Sequence, residues 1–174
     1  TFAEHLTLHE PESIVVFEDH TNYVHESPSH LQKGLVPNIL AMCQAQREFA
    51  SRFGLRQFRT LNDAEAALDT SGHVAGISHA MVLEHLALPG QVVVGTDSHT
   101  PHSGAIGCLA FGVGTTDMAS AFVTGAVRLS LPESVKLQLN GRLAQGMTAK
   151  DVVLHLLALP FFKTGGALGK VLEF

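Results

Sequence analysis

Two runs of consecutive apolar residues, each broken off by acidic and imidazole side chains, constrain this chain more than any other feature. The first is Ile14-Val15-Val16-Phe17, followed at once by Glu18-Asp19-His20. The second, Gln91-Val92-Val93-Val94, ends at Gly95 and runs into Thr96-Asp97-Ser98-His99. Uninterrupted apolar runs suit strands buried on both faces, as in a parallel sheet, whereas a half-exposed strand alternates. Pro37 to Phe53 lies between them, with Ile39, Leu40, Met42, Cys43, Phe49, Ala50 and Phe53 close to a 3.6 period. Gly54 then stands where a helix-ending glycine is expected. This alternation predicts an α/β fold, a mostly parallel sheet layered between helices.

The rest of the chain continues the pattern. His79 to Leu88 is short and apolar, and its period does not separate helix from strand. Pro89-Gly90 makes a turn, and Met118 to Leu129 reads as a helix with Asp117 in its acidic first turn. Val135 to Leu139 alternates with period two, predicting a half-exposed strand, with Asn140-Gly141 as a hairpin-type turn. Thr148-Ala149-Lys150-Asp151 resembles a capping box opening a helix from Val152 to Leu159, which Pro160 ends. Val171-Leu172 begins a further strand.

Composition narrows the function classes. Eleven Lys and Arg against 16 Asp and Glu give a formal charge of −5 with no basic run, which disfavours a nucleic-acid partner. The longest apolar stretch, Val152 to Phe162, is broken by His155 and Pro160 and is shorter than the ~20 residues of a membrane helix. No signal peptide is expected from the polar start with Glu4, His5, His9 and Glu10, and the expected location is the cytoplasm, or the mitochondrial matrix in a eukaryote. The 45% hydrophobic content and 16% charged content depart from an ordinary soluble domain, where charge is about 25%. Such a surface implies docking against another domain or subunit. Cys43 and Cys108 lack C-x-x-C spacing and read as buried small hydrophobes in a reducing compartment.

The strand ends are where open α/β sheets place their sites. A carboxylate beside a histidine orients or charges the imidazole, which suits acid–base work near neutral pH. The glycines of Ser103–Gly107 and Gly112–Gly114 could bring amides toward an anion, although neither stretch is a nucleotide motif. Eleven histidines invite a zinc reading, with His20, His25 and His30 at five-residue spacing and His99 and His102 as a close pair, but none has H-E-x-x-H spacing, and no metal site is expected from the histidines alone.

The run Gly95-Thr96-Asp97-Ser98-His99-Thr100-Pro101 resembles the G-T-D-S-H-T-P segment of the aconitase superfamily. Asp19-His20 is similar to that family's earlier Asp-His pair, and Gly76-Ile77-Ser78-His79 with Leu83-Glu84 and Pro89-Gly90 to its G-I-x-H…L-E…P-G segment. Downstream, Gly112–Asp117, Val135–Val152 and Gly165–Phe174 fall into the same order, so the resemblance covers roughly residues 14 to 174. It implies one N-terminal α/β domain over residues 1–174, with the cluster-ligand and C-terminal domains absent. It also implies a hydro-lyase that dehydrates and rehydrates a hydroxy-di- or tricarboxylic acid at a [4Fe–4S] cluster. By position, His20, oriented by Asp19, matches the acid that protonates the leaving hydroxyl. Asp97 and His99 match residues beside the cluster and its bound hydroxyl, Ser98 a substrate-facing serine, and His79 a histidine near the bound water.

The family holds its cluster with three cysteines in contexts absent here, so this chain alone is expected to bind no cluster and to be inactive. Its partners are then the small hydroxy-acid substrate and the remaining domains or a small swivelling subunit. Ala110-Phe111-Gly112-Val113-Gly114-Thr115-Thr116-Asp117-Met118-Ala119 leans toward the 3-isopropylmalate dehydratase large-subunit and homoaconitase branch, while Thr100-Pro101 leans toward aconitase. Rival readings are an RNA-binding regulator, opposed by the acidic charge, an inert structural fragment, and a cluster-free hydrolase. The last is opposed because neighbouring residues at one strand end cannot build a nucleophile triad among themselves.

Overall fold

The computed structural model describes residues 6–19, 29, 32–34 and 38–174. They divide into two compact units, Thr1–Val127 and Arg128–Phe174. In the first unit β1 (Val15–Phe17) pairs in parallel with β2 (Arg56–Phe58), and β3 (Val92–Gly95) in parallel with β4 (Leu109–Gly112). In the second, β5 (Ser134–Lys136) pairs in parallel with β6 (Val171–Glu173). The α/β class and the parallel strands agree with the sequence reading, but the expected burial on both faces does not hold: in β1 Val16 is buried while Val15 and Phe17 are half-buried, and in β3 Val92 is 61% exposed with Val93 and Val94 half-buried. The described strands nevertheless form three two-stranded ribbons, so each keeps an open edge.

Helix α1 (Ile39–Phe53) stops where expected. Gly54 adopts φ 64°, a left-handed conformation open to glycine at little cost, and the chain-reversing amides of Gly54 and Leu55 close on the carbonyls of Ser51 and Ala50. The apolar face of α1 then meets the strand that precedes it. Leu8, Ile14, Val16, Ala50 and Leu55 form the buried core, with Leu6, Phe49, Phe53 and Phe122 packed against it. Phe17 and Phe58, in register across β1 and β2, stack at 4.8 Å. Burying each such large apolar side chain stabilises by roughly 1.5–3 kcal/mol.

Next come α2 (Asp63–Leu68), opened by a capping box from Asn62 and Glu65, and α3 (Ser78–Met81), which continues into a wider turn over Val82–Leu86. Thr100–Ile106 is a 3₁₀ segment after β3. Helix α4 (Thr115–Thr124) starts earlier than the predicted Met118–Leu129, with Gly114 at its N-cap, and stops earlier because Gly125 turns left-handed at φ 67° beside the ring of His9. In the second unit the capping box of Thr148 and Asp151 forms as read and opens α5 (Ala149–Ala158), and Pro160 begins the short α6 (Pro160–Lys163).

The predicted hairpin at Asn140-Gly141 does not form. Gly141 does turn left-handed, at φ 95°, but the hydrogen-bonding partner of β5 is β6, which arrives only after α5 and α6. A parallel partner requires such a crossover, and a two-residue turn cannot supply it.

Candidate active site

The site is built in the first unit, from the segments that follow β1 and β3 and from the start of α3. Beyond Phe17 the chain is clamped by α1. Gln46 donates to the Phe17 carbonyl at 2.9 Å, and Arg47 grips buried Glu18 with two nitrogens, Nε at 2.5 Å and Nη2 at 2.8 Å. The Thr60 amide adds a third bond to Glu18 at 2.9 Å. Burial pushes the Glu18 carboxyl up, but Arg47 and the Thr60 amide outweigh it and hold it below its ordinary value. The next residue, Asp19, is thereby held at a defined strand exit.

After β3 the chain folds back on itself. Buried Thr100 donates its amide (3.1 Å) and hydroxyl (2.6 Å) to the Asp97 carbonyl. Gly95 is required under this turn, since a Cβ there would collide with the Thr100 hydroxyl; Gly112 likewise leaves room for the Asp97 carbonyl, which a Cβ would meet at 3.1 Å. Close packing thus accounts for Gly112, a position the sequence allowed for anion binding.

Asp97 is the hub. Its Oδ1 accepts from the His99 amide at 3.0 Å and lies 3.3 Å from His99 Nδ1, while its Oδ2 lies 2.9 Å from His79 Nδ1. Burial alone would raise this carboxyl; the bond from the His99 amide, then those from His79 and His99, overcome it and bring the pKa down to about 2. Asp97 is therefore ionised at neutral pH and can only accept. Both imidazoles then present Nδ1–H to it, which leaves Nε2 as the nitrogen with the lone pair in each neutral ring. The His79 and His99 rings stack at 4.8 Å, and His102 meets His79 edge-on at 5.5 Å.

One ligand atom from each of His79, Asp97 and His99 lies within 4.8 Å of the others. Because both Nδ1 atoms already face the Asp97 oxygens, the carboxylate serves here to orient two imidazoles. Ser98 is exposed, and its Oγ lies 3.1 Å from His99 Nδ1. Ser98 and Asp97 therefore approach the same ring nitrogen, although a nucleophile triad needs them on opposite ones. The neighbouring side chains do touch, but not as a triad.

Four of the residues singled out from sequence, Asp19, His79, Asp97 and His99, are brought together, with Ser98 at the rim. His20 lies outside the described residues, as do His25 and His30. Sequence reasoning missed Ser78. Its amide donates to Asp19 Oδ2 at 2.7 Å, its hydroxyl hydrogen-bonds the same oxygen, and that hydroxyl also lies 3.3 Å from Asp97 Oδ2. Its place beside His79 was the available signal.

Parallel strands that end in a carboxylate–imidazole cluster define an α/β segment with acid–base capability. The model of the aconitase family (aconitate hydratase) matches residues 3–174, and the chain belongs to that family. It is similar to the 3-isopropylmalate dehydratase large subunit of Caldivirga maquilingensis, 40% identical over 127 residues, or 73% of this chain and 27% of that one. It is also similar to those of Syntrophus aciditrophicus (35% identical; 84% of this chain, 32% of that one) and Caldanaerobacter subterraneus (47% identical; 57% and 23%). The chain thus spans about a quarter to a third of the length of these relatives. Among the described residues no helix is long and apolar enough to cross a membrane.

Proposed function

We infer that the full-length protein is a hydro-lyase of the 3-isopropylmalate dehydratase large-subunit type, which dehydrates and rehydrates a hydroxy-di- or tricarboxylic acid. The observation that carries this reading is the Asp97 hub, one ionised carboxylate holding two imidazoles by Nδ1 at the exit of a parallel strand. Removing water from a hydroxy acid requires a proton to reach the departing hydroxyl and an orienting set for the oxygens around it. His79 and His99 can exchange a proton at Nε2 while Asp97 stabilises each imidazolium as it forms. Asp19, through the adjacent His20, is the second arm, with His20 as the acid toward the leaving hydroxyl. Ser98, exposed at the rim, is assigned to the substrate, a reading its exposure supports. Aconitate hydratase and homoaconitase are the alternatives within the family, and both units are read as parts of one N-terminal domain.

The family's [4Fe–4S] cluster does not fit the residues of this chain. Iron–sulfur clusters are held by several thiolates, and the chain has two cysteines. Burial, then Glu18, pushes the Cys43 thiol up, and Cys108 points its Sγ at the Leu88 carbonyl at 3.2 Å. Neither cysteine belongs to the His79–Asp97–His99 group. We therefore assign cluster binding, and contacts with a small subunit, to the remainder of the full-length protein, and read this chain by itself as inactive. The location assigned is the cytoplasm, or the mitochondrial matrix in a eukaryote.

The test has two arms. The full-length protein, reconstituted anaerobically with its small subunit, is assayed on 2-isopropylmalate, citrate and homocitrate by ultraviolet absorbance of the alkene product. Turnover of 2-isopropylmalate is expected, and turnover of none of the three sinks the hydro-lyase reading. The 174-residue chain alone, given iron and sulfide, should develop no stoichiometric iron–sulfur absorption; a full complement of cluster would overturn its assignment elsewhere.

A further inference from the structure

Ser78 spends its side chain in an unusual way for a residue that opens a helical turn. The position before it, Ile77, makes no side-chain cap, and the Ser78 hydroxyl does not turn back to the amides of α3. It reaches instead to Asp19, 59 positions earlier in the chain, and to Asp97, 19 positions later. The residue is buried. A serine hydroxyl has one proton to donate, so two carboxylate oxygens at one Oγ compete for it. Asp19 also receives the Ser78 amide, and Asp97 the His79 ring and the His99 amide. Charged and titratable groups facing this trio include His79 on α3 and His99 after β3, and His102 packs edge-on against His79. Glu18, paired with Arg47, stands beside Asp19.

We propose that Ser78 is a positioning residue that ties Asp19 and Asp97 to one hydroxyl, so that the segments leaving β1 and β3 hold their carboxylates, and the His79 and His99 imidazoles on Asp97, in a single arrangement. β1 and β3 pair with β2 and β4, not with each other. Backbone pairing therefore does not align the two exits directly, and a side chain reaching both supplies that alignment. The proposal concerns how the site is assembled and does not depend on which hydroxy acid is turned over.

Three variants test it: Ser78→Ala, Ser78→Cys, which keeps the shape but donates weakly, and Ser78→Thr, which keeps the hydroxyl. In the 174-residue chain, carboxyl-selective ¹³C NMR titration follows Asp19 and Asp97. Losing a donor to a charged acceptor destabilises the ionised form, so S78A and S78C should titrate Asp19 upward by about one pH unit, and S78T should track the parent. In the full-length protein, S78A and S78C should lower kcat about ten-fold or more while KM changes less, and S78T should restore it. Parent-like Asp19 titration in both S78A and S78C overturns the proposal, as does an S78T variant that titrates like S78A. Should S78A fail to fold, S78C decides. If no hydroxy acid is turned over, the dehydratase reading falls while the titrations still judge Ser78.

Discussion

Replacing Arg47 by Met isolates the device that holds the exit of β1. In the parent, the Glu18 side chain is 3% exposed and takes two nitrogens of Arg47 and the Thr60 amide. Met retains most of the aliphatic stem but leaves a buried carboxylate with one amide donor. Removing one partner of a buried ion pair costs about 3–5 kcal/mol. Arg47 itself is 36% exposed, so water offsets part of this loss, and about 2–3 kcal/mol is expected at neutral pH. The sign of the pH dependence follows from the carboxyl. In the parent its pKa is lowered, so its contribution is present above the unfolded value and is lost as pH falls. In R47M, burial dominates and raises it, so the variant is relieved by protonation as pH falls. The gap between parent and R47M should therefore narrow steadily from pH 7 to pH 4. Urea unfolding of the 174-residue chain at several pH values measures this, with Glu18→Gln/Arg47→Met closing the cycle. A gap below about 1 kcal/mol at pH 7, or one that does not change with pH, would refute the reasoning.

Two further outcomes follow from the turn after β3. Gly95→Ala places a methyl group into the Thr100 hydroxyl beneath Asp97 and should cost about 1–3 kcal/mol by overpacking, read by urea midpoint; it should also shift the His79 and His99 imidazole resonances. An unchanged spectrum would show that this turn does not set the hub. Asp97, with its pKa brought down to about 2, contributes stability that is present above about pH 4 and lost as pH falls toward 2. Asp97→Asn should accordingly flatten the stability–pH slope between pH 5 and 3, and equal slopes in variant and parent would remove Asp97 from the hub.

Local patterns written in the chain carried much of the fold. The continuous apolar runs ending at Phe17 and Val94 became parallel strands, although the burial on both faces that such runs imply is not met in β3, where Val92 is 61% exposed and Val93 and Val94 are half-buried. Gly54 ended α1, and Thr148 with Asp151 capped α5, because both devices act within one turn of the helix. Asp97 and His99 were legible for the same reason, lying two residues apart at a strand exit. Where a partner is distant, local pattern misled or fell silent. Asn140-Gly141 carried the residues of a hairpin turn, yet β5 bonded to β6, since a strand's choice among partners is decided by packing far along the chain. His79 was found by resemblance rather than by pattern, for its meaning depends on Asp97, 18 positions away.

The sequence by itself determined the alternation of strand and helix, the family, and the presence of a carboxylate and an imidazole at the exits of β1 and β3. Only the tertiary structure decided that Asp97 turns one oxygen to His79 and the other to His99, that Arg47 steadies the exit of β1, and that Ser78 joins the two exits. Hydrogen bonds of 2.7 to 3.3 Å between residues 18 to 59 positions apart leave no periodic trace in a chain, because their geometry exists only once separate strand exits have been packed together.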